Sequence, residues 1–542
     1  MPRPSLRRLA AVLLLPLAPA LGQQGYKNFE NKHKGITFVY PASHDELPLP
    51  PTERLWVAKY VMRQQPDELK KVDERLFKAE TPFLQVFRFE LPGAVTPSGE
   101  RPAEAAAAEE GPPVLTWEQF VTMLGRLEVR AEPKKPDHFT LHPRLRGRAP
   151  GRGKDAEANV PEGYLVRRIE GQRVVGVIGF SYQPGAKTLQ SQVTRMAASI
   201  KDLDDDASER AGAEIDKLYA SGKFQAVEWR KRARAKMAKG WKALDTENFL
   251  IVHHSTNAAL IRRIARDIEA MRAFYAQQFP PSRPIEAVAI VRVCRTQDEY
   301  HEYGGPPTSG GYWHPVNEEL VFYDYSYTMQ KMDSREKRLL GGHTLSDDDS
   351  LLVLYHEALH QYMHYAVGEF APHDWFNEGY GDYFSGAVVG ESTGRVLRVD
   401  PSPWRIHLAK DMCEHGEGFL SLKDVLHAER ATFYNPARAG HYYAAAWSFV
   451  HFLKHGKAVP ANPKWGALLG GYFETVKAEY GKATEGVAAD DQQQRAMASM
   501  KARREALKKV LDGIDLPALE AAWVQHVVTM KDPWPQLRKK RK

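Results

Sequence analysis

His356-Glu357-Ala358-Leu359-His360, preceded by the apolar run Leu351-Leu352-Val353-Leu354-Tyr355, is the stretch from which the rest of the chain can be read. An acidic segment, Asp347-Asp348-Asp349-Ser350, leads into it. Side-chain oxygens there cap free backbone N–H groups and negative charge suits a helix N-terminus, so a helix is expected to begin at this point. Residues four apart share a helix face. His356 and His360 can therefore offer imidazole nitrogens to one metal ion, with Glu357 beside them as a base for a metal-bound water. The competing reading of these five residues alone is two ordinary histidines on an amphipathic helix.

A polar loop, Gly368 to His373, separates this stretch from Trp375-Phe376-Asn377-Glu378-Gly379-Tyr380-Gly381-Asp382-Tyr383-Phe384. Catalytic zinc takes three protein ligands and keeps a fourth position open for water. Glu378, on a segment with helical periodicity, is the candidate third ligand. Asp382 lies one turn further along the same face, where it can accept the free ring N–H of a metal-binding histidine and fix its tautomer. Solvent-facing helix carboxylates are the alternative.

His356-Glu357-x-x-His360 followed by Asn377-Glu378-Gly379 resembles the gluzincin clan of zinc metallopeptidases. With Trp375-Phe376 in front and Tyr443-x-x-x-Trp447 further on, it is similar to the bacterial peptidase MA-like family in particular. The resemblance covers approximately residues 246 to 530. It implies an α+β chain with a thermolysin-like catalytic domain: a small mixed sheet followed by a mostly helical subdomain. It also implies one zinc per chain on His356, His360 and Glu378, Glu357 as general base, and a peptide or protein substrate. Relatives commonly carry Gly-Leu-Ala-Glu where this chain has Gly379-Tyr380-Gly381-Asp382. The extra glycine is expected to loosen the second helix, and the shorter Asp382 must reach as far as a glutamate would.

Peptide hydrolysis also needs a donor at the developing oxyanion. The resemblance favours the Tyr443 hydroxyl, with His441 as a possible substitute and an aromatic cluster packing the helix as the plain structural reading. Gluzincins pair the substrate backbone with an exposed sheet edge, which offers unpaired N–H and C=O groups. Gly310 to His314, joined to a strand at Glu319 to Asp324, is the candidate edge. Before it, Phe249 to His254 and Ala287 to Val293 read as strands around an amphipathic helix from Ala258 to Phe274. His253, His254 and His314 are structural or surface residues on this reading. Asp515 to Val528 reads as a final amphipathic helix, with Asp515 as its cap.

The first residues read as an export signal, residues 1–22. Arg3, Arg7 and Arg8 precede the apolar core Leu9 to Leu17, and small residues place cleavage near 20 to 22. A secreted or periplasmic location follows. The core is too short and too proline-rich for a membrane span, so no transmembrane anchor is expected. Removing the signal lowers the formal charge from +7 to about +4, mild for a chain of 542 residues. With only Cys294 and Cys413, no disulfide scaffold is expected, though the two can pair.

Residues 23–203 read as a small α+β domain. Strand candidates are Gly35 to Pro41, Phe83 to Glu90, Gly163 to Ile169 and Arg173 to Phe180, and a helix is expected from Leu189 to Ile200. Pro97 to Pro113 and Arg144 to Lys154 read as exposed loops, whose arginines lack the aromatic interleaving of a nucleic-acid surface; no specific nucleic acid is expected. Residues 204–245 read as a charged helical connector, 246–456 as the catalytic domain, and 457–542 as a helical region ending in the basic tail Arg538 to Lys542. Three functions compete: a zinc peptidase, a non-catalytic or metal-binding surface protein that retains the fold, and a zinc amidase acting on cell-wall peptides. No second ligand cluster suggests a two-metal enzyme.

Overall fold

The computed structural model describes residues 25–32, 34–62, 83–93, 112–125, 127–143, 162–181, 186–203, 205–307, 309–332, 346–488 and 491–533. The export signal, the Arg144–Lys154 loop, most of the Pro97–Pro113 loop and the basic tail lie outside the described residues. The chain is α+β and divides into two compact units, residues 1–47 with 54–212 and residues 48–53 with 213–542.

In the first unit, seven strands form one antiparallel sheet. Their order is β3 (His44–Leu47), β4 (Trp56–Met62), β5 (Phe83–Glu90), β9 (Arg173–Ser181), β8 (Glu162–Glu170), β7 (Lys135–Pro143) and β6 (Leu127–Glu132). A smaller sheet joins β1 (Tyr26–Asn31), β2 (Ile36–Pro41) and β10 (Lys201–Asp202). Period-two alternation buries both faces of the large sheet. Along β5, Leu84 and Val86 pack with Leu189, Val193 and Met196 of the helix Ala186–Ser199, while Phe87 and Phe89 pack with Phe120 of the helix Trp117–Met123. β8 and β9 pair Glu170 with Arg173 across Gly171-Gln172. Gly171 has φ +62, which a residue without Cβ adopts at no steric cost.

The second unit opens with the mixed sheet that positions the site. Its order is β11 (Lys242–Asp245), β12 (Phe249–His253), β13 (Ala289–Cys294), β15 (Glu319–Tyr323) and β14 (Gly311–His314). β12, β13 and β15 are parallel, and the two outer strands are antiparallel to their neighbours. Residues 205–245, charged and mostly helical, close on a strand of this sheet. They form the helices Asp205–Tyr219 and Val227–Ala235 and then the edge strand β11. Arg230 supplies the reason: fully buried, it donates to Asp245 and to the carbonyls of Gln225, Thr246, Glu247 and Phe249. A buried guanidinium must find acceptors, and here they belong to the sheet.

The helix Asp347–Val367 lies against β14 and β15 and against the helix Ala258–Gln278. The Ser346 N–H donates to Asp349 at 2.8 Å to close its first turn, and Gly368 ends it in a left-handed conformation. Two hydroxyls lock it in register: Tyr275 donates to the Tyr355 carbonyl and Tyr355 to Asp267, both at 2.7 Å. The helix Asp374–Ser385 follows, then mostly helices, among them Ile406–His415, Ala439–His455 and Leu516–Thr529, the last capped by Asp515. Cys294 and Cys413 are both free thiols. No helix among the described residues is long and apolar enough to cross a membrane.

Candidate metal centre

Two glycines decide how closely the site's helices approach. A Cβ on Gly379 would stand 2.8 Å from the Ala446 carbonyl oxygen and 2.9 Å from Val450 Cγ2, so its absence lets the helix Ala439–His455 come in. A Cβ on Gly381 would stand 2.8 Å from Cε1 and Nδ1 of His356. Neither glycine interrupts the helix, which runs unbroken from Asp374 to Ser385 and is buried throughout. Glycine costs a helix interior roughly 0.5–1 kcal/mol relative to alanine, and here close packing offsets that cost.

His356, His360 and Glu378 converge. Glu378 Oε2 lies 3.1 Å from His356 Nε2 and 3.4 Å from His360 Nε2. Among the described residues this is the only trio whose donor atoms all lie within 4.8 Å of one another. A tetrahedral zinc with ligands at about 2.0–2.1 Å has edges of about 3.3 Å, so both distances from Glu378 match that ion and the donor types suit it. Electrostatics agrees. Burial opposes charge on His356, but the carboxylates of Asp382 and Glu378 outweigh it and raise its pKa well above the ordinary value. His360 is raised too, with burial again opposing and Glu378 prevailing. For Glu378, burial is overcome by His360 and His356, and its pKa falls well below the usual carboxylate range. The cluster favours positive charge at its centre, which a divalent cation would supply.

A second layer holds these groups. Asp382, fully buried, places Oδ1 3.2 Å from His356 Nδ1, an ion-pair distance without the alignment of a good hydrogen bond. Its Oδ2 accepts from Arg405 Nε at 2.5 Å. Burial would raise the Asp382 pKa, but Arg405 and His356 together lower it. Contact between Nδ1 and a carboxylate leaves Nε2 as the His356 nitrogen that could face a metal. Glu378 divides its oxygens: Oε2 faces the two imidazoles while Oε1 accepts from the Tyr434 hydroxyl. Asp374 Oδ1 lies 3.3 Å from that hydroxyl and takes a 2.9 Å bond from Arg430.

Glu357, also buried, faces the edge strand. A Cβ on Gly311 would stand 2.4 Å from Val353 and 3.2 Å from Glu357 Cγ, so β14 lies close against the helix at Glu357. Burial raises the Glu357 pKa, against the pull of His356 and His360. Tyr443 is brought to the cluster, with its ring centre 6.4 Å from that of His356 and the Arg405 guanidinium 4.7 Å from its own. Burial and then Glu378 and Asp382 push its pKa well above the ordinary tyrosine value, against Arg405. His441 is not brought in: two residues earlier on the helix it points the other way, and its ring lies against Gly418. Arg405, Tyr434, Asp374 and Arg430 are absent from the sequence reading, and no local pattern marks them. Arg405 is 23 positions from Asp382, and Tyr434 is 56 from Glu378.

No family model and no curated protein matches the chain. Among solved structures, cyanobacterial PsbP from Synechocystis sp. PCC 6803 is similar at 14% identity and a TM-score of 0.18, over 34% of this chain and 96% of that one. The Ran-binding protein Mog1p of Saccharomyces cerevisiae is similar at 15% identity and a TM-score of 0.20, over 34% of this chain and 99% of that one. At these scores neither likeness bears on the site.

Proposed function

We propose that the second unit is a zinc-dependent peptidase with a gluzincin-like site, acting on peptide or protein substrates. The observation that carries the reading is the convergence of His356, His360 and Glu378, with donor atoms within 4.8 Å of one another and the buried Glu357 beside them next to β14. The zinc would supply Lewis acidity toward the scissile carbonyl and acidify a water.

The chain's own residues do the rest. Among the described residues no strand pairs with the outer side of β14, so an extended peptide can pair with it near Glu357. Gly311, where a Cβ would meet Val353 at 2.4 Å, lets β14 lie close against the helix that carries Glu357. Glu357 accepts a proton from the attacking water as its oxygen bonds to the carbonyl carbon. It returns that proton to the amide nitrogen as the C–N bond breaks. A carboxyl whose pKa is raised by burial suits both halves of the task. Tyr443, protonated at neutral pH as an ordinary phenol would be, has a hydroxyl to donate to the oxyanion. Asp382 and Tyr434 orient His356 and Glu378. The basic and apolar run at the N-terminus supports export, with cleavage near residues 20 to 22.

The test is a diverse peptide library exposed to the mature protein, residues 23–542, with and without a zinc chelator. Cuts that vanish with chelator and return with zinc are expected. Cuts indifferent to chelator, or none at all in zinc-loaded protein, would overturn the proposal.

A further inference from the structure

We propose that Gly381 and Asp382 are a matched pair that sets how deeply the His356 imidazole sits against the helix Asp374–Ser385, and so where its Nε2 is held. The inference rests on the zinc reading above and adds to it two positioning residues that work only together.

Two distances carry it. A Cβ on Gly381 would fall 2.8 Å from Cε1 and Nδ1 of His356 and 3.0 Å from Nε2, so the ring occupies the volume any side chain at 381 would need. At that depth Asp382 Oδ1 reaches to 3.2 Å from Nδ1. The ring can shift only by its own side-chain rotation, not with the backbone. It is buried on a helix whose Leu352 carbonyl accepts from Ser385 Oγ at 3.1 Å, so the two helices are tied together one turn away. Asp382 cannot follow a displaced ring either, because its second oxygen is held by Arg405 at 2.5 Å. A glutamate at 382 would carry one more carbon–carbon bond, about 1.5 Å, and overrun Nδ1 with the ring at its present depth. An alanine at 381 would push the ring outward, away from the short aspartate.

Helix propensity does not account for the pair. Glycine and aspartate are both poorer helix formers than alanine and glutamate, yet they stand side by side in a fully buried helix. Fit to His356 accounts for both at once.

The test is a double-mutant cycle read by zinc affinity. The full-length mature parent, Gly381→Ala, Asp382→Glu and the double variant are stripped of metal and titrated with zinc against a chromogenic chelator. Each single change should weaken zinc binding about 10–100-fold, as loss of an outer-layer partner does. The double variant, with the ring further out and a longer arm to meet it, should recover to within about twofold of the parent. Both changes favour the helix, so a loss in either single variant cannot come from helix weakening; thermal melts of the stripped proteins check this. If a single variant fails to fold, the double variant decides alone, since it must both fold and bind zinc tightly. A double variant as weak as the two single losses multiplied, or a Gly381→Ala protein that binds like the parent, overturns the pairing and leaves the zinc site standing. A parent that takes up no zinc overturns the zinc reading, and this inference with it.

Discussion

Replacing Arg405 by methionine keeps an apolar stem over the Tyr443 ring but removes the charge that faces Asp382. Asp382 is fully buried, and the change leaves it with His356 as its remaining cationic partner. Breaking a buried ion pair by deleting one partner costs ~3–5 kcal/mol. The Arg405 side chain keeps 23% of its surface exposed, so solvent screens part of the interaction and the lower end, ~3 kcal/mol, is expected for the metal-stripped protein. Urea unfolding followed by hydrogen exchange in the helix Asp374–Ser385 reads this locally, which matters in a chain of two units. The pH dependence has a definite sign. Asp382 has a folded pKa below its unfolded value of 3.8, so its contribution is fully present above that value and is lost as pH falls through the lowered one. The deficit of Arg405→Met should therefore be largest near neutrality and shrink on acidification below the ordinary carboxylate range. A variant as stable as the parent at pH 7, or a deficit that grows with acid, would refute the role given to Arg405.

Tyr443→Phe should keep its zinc and lose about a hundredfold in kcat, the cost of one oxyanion donor, whereas His441→Ala should cut peptide at nearly the parental rate. Steady-state kinetics on a single cleaved peptide reads both, and the reverse order would move the donor role to His441. Tyr434→Phe removes a hydrogen bond to a charged carboxylate, worth about 1.5–3 kcal/mol, and frees Glu378 Oε1. Zinc affinity should fall about tenfold or more in chelator competition. An unchanged affinity would show that Glu378 is held without Tyr434.

The convergence of His356, His360 and Glu378, with Asp382 behind them, was legible because their spacing is local. His356 and His360 stand one turn apart, and Glu378 and Asp382 repeat that interval on the next helix. The layer behind them was not, because each contact joins distant segments through a single side chain, as Tyr434 does with Glu378 and Arg405 with Asp382. Strands marked by an alternating pattern, such as β5, or by an unbroken apolar run, such as β9, could be read directly. β7 begins Lys135-Pro136-Asp137-His138 and offers no such pattern, since its early residues are largely exposed beside the edge strand β6. The charged stretch before β12 hid one contact for a related reason. Composition marks Arg230 as solvent-seeking, and only the fold shows the five acceptors that bury it. Gly381 reads in sequence as a loosened helix, whereas its contact with His356 makes it a fitted one.

The most direct measurement pairs zinc content with turnover in Glu357→Gln. Glutamine keeps the shape of the side chain beside β14 but cannot take a proton from water. The account predicts one zinc per chain, a melting temperature close to that of the parent, and peptide cleavage lower by about a hundredfold or more. A variant that cleaves like the parent, or one that loses its zinc with its activity, would contradict the assignment of Glu357 as a base that is not a ligand.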